Sequence, residues 1–105
     1  MTDQNQICFT DVKTMAELIR RRDISVEEVI QAHIQQIQKL NPTVNAVVTF
    51  TPEEALKQAR LMDQQLKVKV QPGPLFGIPV LFKDLTHTKG IRTTFGSPIF
   101  KDFVP

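Results

Sequence analysis

Apolar positions along the first two-thirds of the chain recur every three or four residues, the spacing that lines one face of a helix. Met15, Leu18 and Ile19 share such a face, and Thr14 with Glu17 stand at capping-box spacing, so a first helix is predicted over roughly 14–22. A longer stripe follows in Val26, Val29, Ile30, Ile34, Ile37 and Leu40, opened by Ser25 and Glu28 as a second capping box and closed by Asn41-Pro42. Residues 45–50 (NAVVTF) then read as a strand. Thr51-Pro52-Glu53-Glu54 supplies the N-cap, first-turn proline and capping glutamate of a third helix, with Ala55, Leu56, Ala59, Met62 and Leu66 toward its core. From Ile78 to Phe82 the pattern changes to a short continuous apolar run between turn residues, which predicts a strand covered on both faces.

The order helix, helix, strand, helix, strand predicts an α/β fold in which N-terminal helices pack on the beginning of a mixed β-sheet. Two strands cannot make a stable covered sheet, so the sheet is expected to be incomplete in this chain. The tail from Leu85 to Pro105 shows no clear periodicity and closes on Phe100, Phe103, Val104 and Pro105. Twenty structureless residues are uncommon inside a compact domain, and apolar residues there need a partner. The expectation is the N-terminal part of one larger domain, with a helical start over 10–66 and a second block over 73–97. Taken alone, such a chain is expected to self-associate.

Composition narrows the partners. Of 105 residues 41% are hydrophobic, as in ordinary soluble globular proteins, and 13 basic against 11 acidic residues leave a formal charge of +2. That is too small to argue for nucleic acid or an anionic membrane. The one basic run, Arg20-Arg21-Arg22, follows a helical pattern and is read as complementing the negative end of a helix. The single cysteine, Cys8, has no partner for an internal disulfide and no neighbouring histidine in sequence, so it is read as a small hydrophobe in a reducing, cytoplasmic protein. No apolar stretch reaches the ~18 residues of a membrane span, and the polar start from Met1 to Gln6 lacks the charged and apolar regions of a signal peptide.

The chemistry concentrates at Lys83, where the apolar run Ile78–Phe82 ends. In open α/β sheets ligands gather at the carboxyl ends of strands, and an ammonium brought there by apolar residues can lose its charge and act as a base. The surrounding text, Gly73-Pro74-Leu75-Phe76-Gly77-Ile78-Pro79-Val80-Leu81-Phe82-Lys83-Asp84 and then Thr88-Lys89-Gly90-Ile91-Arg92-Thr93-Thr94-Phe95-Gly96-Ser97, closely resembles the first signature block of the amidase signature family. Ala16-Glu17-Leu18, Ser25 with Glu27-Glu28-Val29, Ala32-His33-Ile34, Leu40-Asn41-Pro42 and Asn45-Ala46 are similar to that family's helical start, so the resemblance covers nearly the whole chain. Phe76 stands where many members have His, and Leu85 where many have Asn, which leaves the substrate subclass open.

The resemblance implies a serine amide hydrolase with a Ser, cis-Ser and Lys catalytic set. In it Lys83 would take a proton through the bridging serine and so activate the second serine toward an amide carbonyl. Both serines lie downstream in the family. Ser25 is read here as a helix cap and Ser97, in Gly96-Ser97-Pro98, as a turn residue, so the chain alone is expected to be inactive. Thr93, Thr94 and Gly96 are expected to shape the loop beside the lysine. His33 is read as a residue at the flank of its helix's stripe and His87 as a solvated loop residue; no metal or cofactor is expected, and the substrate-binding residues cannot be named. Beside a small-molecule amidase stand two alternatives: the amidase subunit of a tRNA-dependent amidotransferase, the one case with a nucleic-acid partner, and a truncated non-catalytic interaction module.

Overall fold

The computed structural model describes residues 3–68 and 71–105, so Met1 and Thr2 of the polar start lie outside the described residues. Its elements there are α1 (Gln4–Cys8), α2 (Val12–Arg20), α3 (Val26–Val44), α4 (Pro52–Lys67) and a single 3-10 turn, Pro98–Phe100. Helix α3 is the spine, packing against both α1 and α4.

Helix starts are set by local chemistry. The helix expected from Thr14 begins earlier because Asp11 is its cap: the Asp11 carboxylate accepts from the Thr14 N–H and hydroxyl, both at 2.9 Å. The Ser25–Glu28 capping box of α3 is formed as expected, with Glu28 N–H donating to Ser25 Oγ at 3.0 Å. A second cap on α3 comes from another element. Asp63 of α4 accepts from the N–H groups of Val26 at 2.8 Å and Glu27 at 3.0 Å, placing a carboxylate at the positive end of α3. Thr51 precedes α4 without a side-chain cap bond, so Pro52 and the acidic first turn open that helix.

Asn41-Pro42 does not end α3. Proline removes only one N–H in the last turn, the helix continues to Val44, and Asn45 closes it in the left-handed region at φ 51°. Asn41 fastens this end by exchanging two hydrogen bonds with the backbone of Val47, at 2.8 and 3.0 Å. Leu40, expected on the buried stripe, is exposed.

The core gathers Ile7, Met15, Ile19, Ile24, Val26, Val29, Ala32 and Ala59, with Leu18, Ile30, Met62, Leu66, Phe76 and Ile78 packed around it. Apart from Leu40, the apolar faces read from the sequence therefore stand, and Ile34 is buried while Gln35 is exposed. Arg20 lies in the last turn of its own helix and donates to Gly73 O at 3.4 Å, whereas Arg22 donates to Leu66 O at the end of α4. Cys8 is half-buried with its thiol on Ala32 O, and burial pushes that thiol up, as suits an inert residue.

The expected mixed β-sheet is corrected: among the described residues there is no strand. Residues 45–50 and 78–82 are both irregular, since a strand needs a neighbour to take its N–H and C=O groups and neither segment offers them to the other. Val80, Leu81 and Phe82 are 67%, 69% and 62% exposed, the reverse of a strand covered on both faces. Apart from the 3-10 turn Pro98–Phe100, the tail has the expected lack of regular structure. Its rings find one another instead of a sheet: Phe95, Phe100, Phe103 and His87 form edge-on and stacked pairs with centroids 5.2–6.2 Å apart.

Two outcomes follow from this packing. Ile34→Asp, which buries an unpaired charge, should lower stability by about 3 kcal/mol or more, whereas Gln35→Ala should change it by less than about 0.5 kcal/mol; equal urea midpoints would show the face assignment to be wrong. The open run Val80-Leu81-Phe82 should make the 105-residue chain oligomerise with rising concentration in sedimentation velocity, and a sharp monomer throughout would contradict it.

Candidate functional site

Lys83 is not at the end of a strand; it is an exposed residue in an irregular loop, which corrects the placement expected from the apolar run. It nevertheless borders a cleft of about 330 Å³. One wall is the 46–51 segment between α3 and α4, the other is formed by Val80 to Asp84 together with Thr88, Arg92 and Thr93. The Lys83 amine makes no hydrogen bond or ion pair among the described residues, so it is free to meet another group.

The loop that carries Lys83 is held on both sides. Upstream, Phe76 and Ile78 pack on the helical core, with buried Gly77 between them at φ 80°. Downstream, Lys83 O accepts from the N–H groups of Leu85 at 2.7 Å and Thr86 at 3.0 Å, forming a tight turn. The Asp84 carboxylate then crosses to the next loop: one oxygen accepts from Thr94 N–H at 2.7 Å, the other from the Thr94 hydroxyl, and Asp84 O accepts from Phe95 N–H at 3.0 Å. The Thr94 hydroxyl, its N–H and the Arg92 charge hold the Asp84 carboxyl below its ordinary value.

Thr93 and Thr94 are the buried polar residues of the chain's described part, 1% and 7% exposed. Thr93 Oγ1 lies 3.3 Å from Thr88 Oγ1 and 3.4 Å from Thr86 O, and its N–H donates to Phe103 O at 2.9 Å. Arg92 ties the two cleft walls together, donating to Thr49 Oγ1 at 3.2 Å, Val48 O at 3.5 Å and Lys101 O at 2.7 Å.

The remaining candidates take the roles of framework. Ser25 caps α3 and Ser97 caps the 3-10 turn through Ile99 N–H at 3.3 Å. His33 sets its Nδ1 2.8 Å from Val29 O on its own helix, and His87 is exposed in its loop, edge-on to Phe95 and Phe103. No group of His, Cys, Asp or Glu among the described residues is placed to hold a metal ion, and no described helix is long and apolar enough to cross a membrane. Reading the sequence connected Thr94 with the loop but missed the Asp84 bridge and the Arg92 tie. An Asp followed ten residues on by a threonine pair was the only trace of the first. The second uses mostly backbone carbonyls, which leave no trace in a sequence.

Comparison with known proteins agrees with the loop's text. A protein-family model described as Amidase matches residues 28–105. Among curated relatives, a glutamyl-tRNA(Gln) amidotransferase subunit of Methylococcus capsulatus is 47% identical over 95 residues, 88% of this chain and 19% of the relative. The proteins of the same name from Carboxydothermus hydrogenoformans and Neorickettsia sennetsu are 38% and 40% identical, over 95% and 96% of this chain and 21% of each relative. The chain thus spans about a fifth of the length of the relatives it matches.

Because the Asp84 carboxyl is held below its ordinary value in the folded chain, its bridge to Thr94 contributes stability above the ordinary carboxylate value, lost as pH falls through the depressed folded value. The Asp84 carboxyl signal, followed by carbon-13 NMR on acidification, should titrate below the ordinary aspartate value and move upward in Thr94→Val. An unchanged titration in that variant would contradict the bridge.

Proposed function

Because the chain belongs to the amidase family, we propose that it is the N-terminal, lysine-bearing segment of an amide hydrolase that works within a glutamyl-tRNA(Gln) amidotransferase. The single observation that carries this is the free amine of Lys83 at the edge of a cleft, inside the matched stretch 28–105. The shared name of the relatives favours the amidotransferase over a stand-alone amidase. It brings the other subunits and a tRNA as partners, and a cytoplasmic place of work.

In this reading a neutral Lys83 accepts a proton from a bridging serine, which takes one from the nucleophilic serine as that oxygen attacks the carboxamide carbon. The C–N bond breaks, the leaving nitrogen takes the proton back and departs as ammonia, and water releases the acyl group. Both serines belong to the part of the enzyme this chain does not span. So does the desolvation that a neutral lysine needs, since the described residues leave Lys83 exposed. No cofactor is required, and the chain alone releases no ammonia.

The test uses a full-length enzyme in which residues 1–105 lead into the remainder of the Methylococcus capsulatus relative, assembled with the other subunits of that amidotransferase. Arginine keeps the charge of lysine but stays protonated. Lys83→Arg and Lys83→Ala should both lower ammonia release from a primary carboxamide such as glutamine by at least ~100-fold, the low end for a positioned acid-base group. Near-normal turnover in Lys83→Arg would overturn the assignment.

A further inference from the structure

We propose that Asp84 and Thr94 are positioning residues for Lys83, an inference that rests on the reading of Lys83 as the base. The Lys83 amine has no partner of its own among the described residues, and residues 78–83 belong to no regular element. Its position is therefore inherited from the backbone on either side. Behind it lies the packing of Phe76 and Ile78; ahead of it lies residue 84, joined to the 94–95 loop by two carboxylate bonds and one carbonyl bond.

The far side of that bridge is firm. Thr94 is buried beside the fully buried Thr93, its hydroxyl accepts from Gly96 N–H at 3.2 Å, and Thr93 N–H is bonded to Phe103 O. A lysine carried on this turn has its Cα fixed by a buried threonine further along the chain.

The bridge also governs charge. A carboxylate adjacent in sequence is well placed to pair with the ammonium, which would stabilise the protonated form and spoil a base. Here both oxygens of Asp84 face Thr94, and Asp84 forms no ion pair with Lys83. The threonine thus holds the turn and keeps the acid away from the base. Displacing a catalytic group by about 1 Å can cost on the order of 100-fold in rate, so losing this bridge is expected to be visible in turnover.

The experiment uses the same full-length enzyme. Thr94→Val keeps the shape and removes the hydroxyl; it should lower kcat about 10-fold with KM within about twofold, and Thr94→Ser should restore kcat to within about threefold of the parent. Residues that act through Lys83 contribute nothing once it is gone, so Lys83→Ala combined with Thr94→Val should be no slower than Lys83→Ala alone. If Thr94→Val does not fold, Asp84→Asn serves in its place and should show the same dependence on Lys83. An additive double variant, or a Thr94→Ser as impaired as Thr94→Val, marks a merely structural threonine and overturns the inference. Full turnover in Thr94→Val, in an enzyme that Lys83→Arg inactivates, overturns it alone, whereas full turnover in Lys83→Arg overturns the base reading and this inference together.

Discussion

At residue 77 the chain passes over Ile19 and Val26 so closely that a Cβ there would lie 2.8 Å from Val26 Cγ2 and 3.1 Å from Ile19 Cδ1. Its φ of 80° lies in the left-handed region, so glycine is needed for both space and backbone. Ile19 and Val26 are themselves fully buried at the junction of α2 and α3. This contact seats the irregular block 71–105 on the helical core. Phe76 and Ile78 flank it, and a few residues beyond Ile78 the chain presents Lys83. The position of the lysine thus begins in the packing of two aliphatic side chains far from any chemistry.

The helical half of the molecule was legible because its signals are local. Ser25 and Glu28 close their capping box within a single turn, and the Val26, Val29 and Ile34 stripe needs only the helical period to be seen. Where a cap comes from another element, as Asp63 caps α3, or where Asn41 clamps Val47 past a proline, periodicity holds no trace of it. The strand readings failed for a different reason. Residues 78–82 have strand composition, but composition does not supply the neighbouring backbone that a strand must bond, and among the described residues none is there.

At the site the sequence pointed to Lys83 and to the Thr93, Thr94 and Gly96 loop, but placed the lysine on the wrong kind of element. What joins those two stretches is the hydrogen bonding of Asp84 to Thr94 and the Arg92 tie to the 48–49 segment, which composition cannot show. The exposed run Val80-Leu81-Phe82 and the free amine next to it are complementary facts. The chain spans about a fifth of the length of the relatives it matches, and in it both the apolar run and the lysine are exposed.

If Lys83 is the proposed base, this fold delivers its amine to a serine lying elsewhere in the enzyme. The most direct measurement is a crystal structure of the assembled full-length enzyme with its serine trapped by a fluorophosphonate. The Lys83 amine should then lie within ~2.6–3.2 Å of the bridging serine hydroxyl, the reach of a proton-transfer partner, with Asp84 still turned to Thr94. An amine lying in bulk solvent, or paired with a carboxylate, would contradict it.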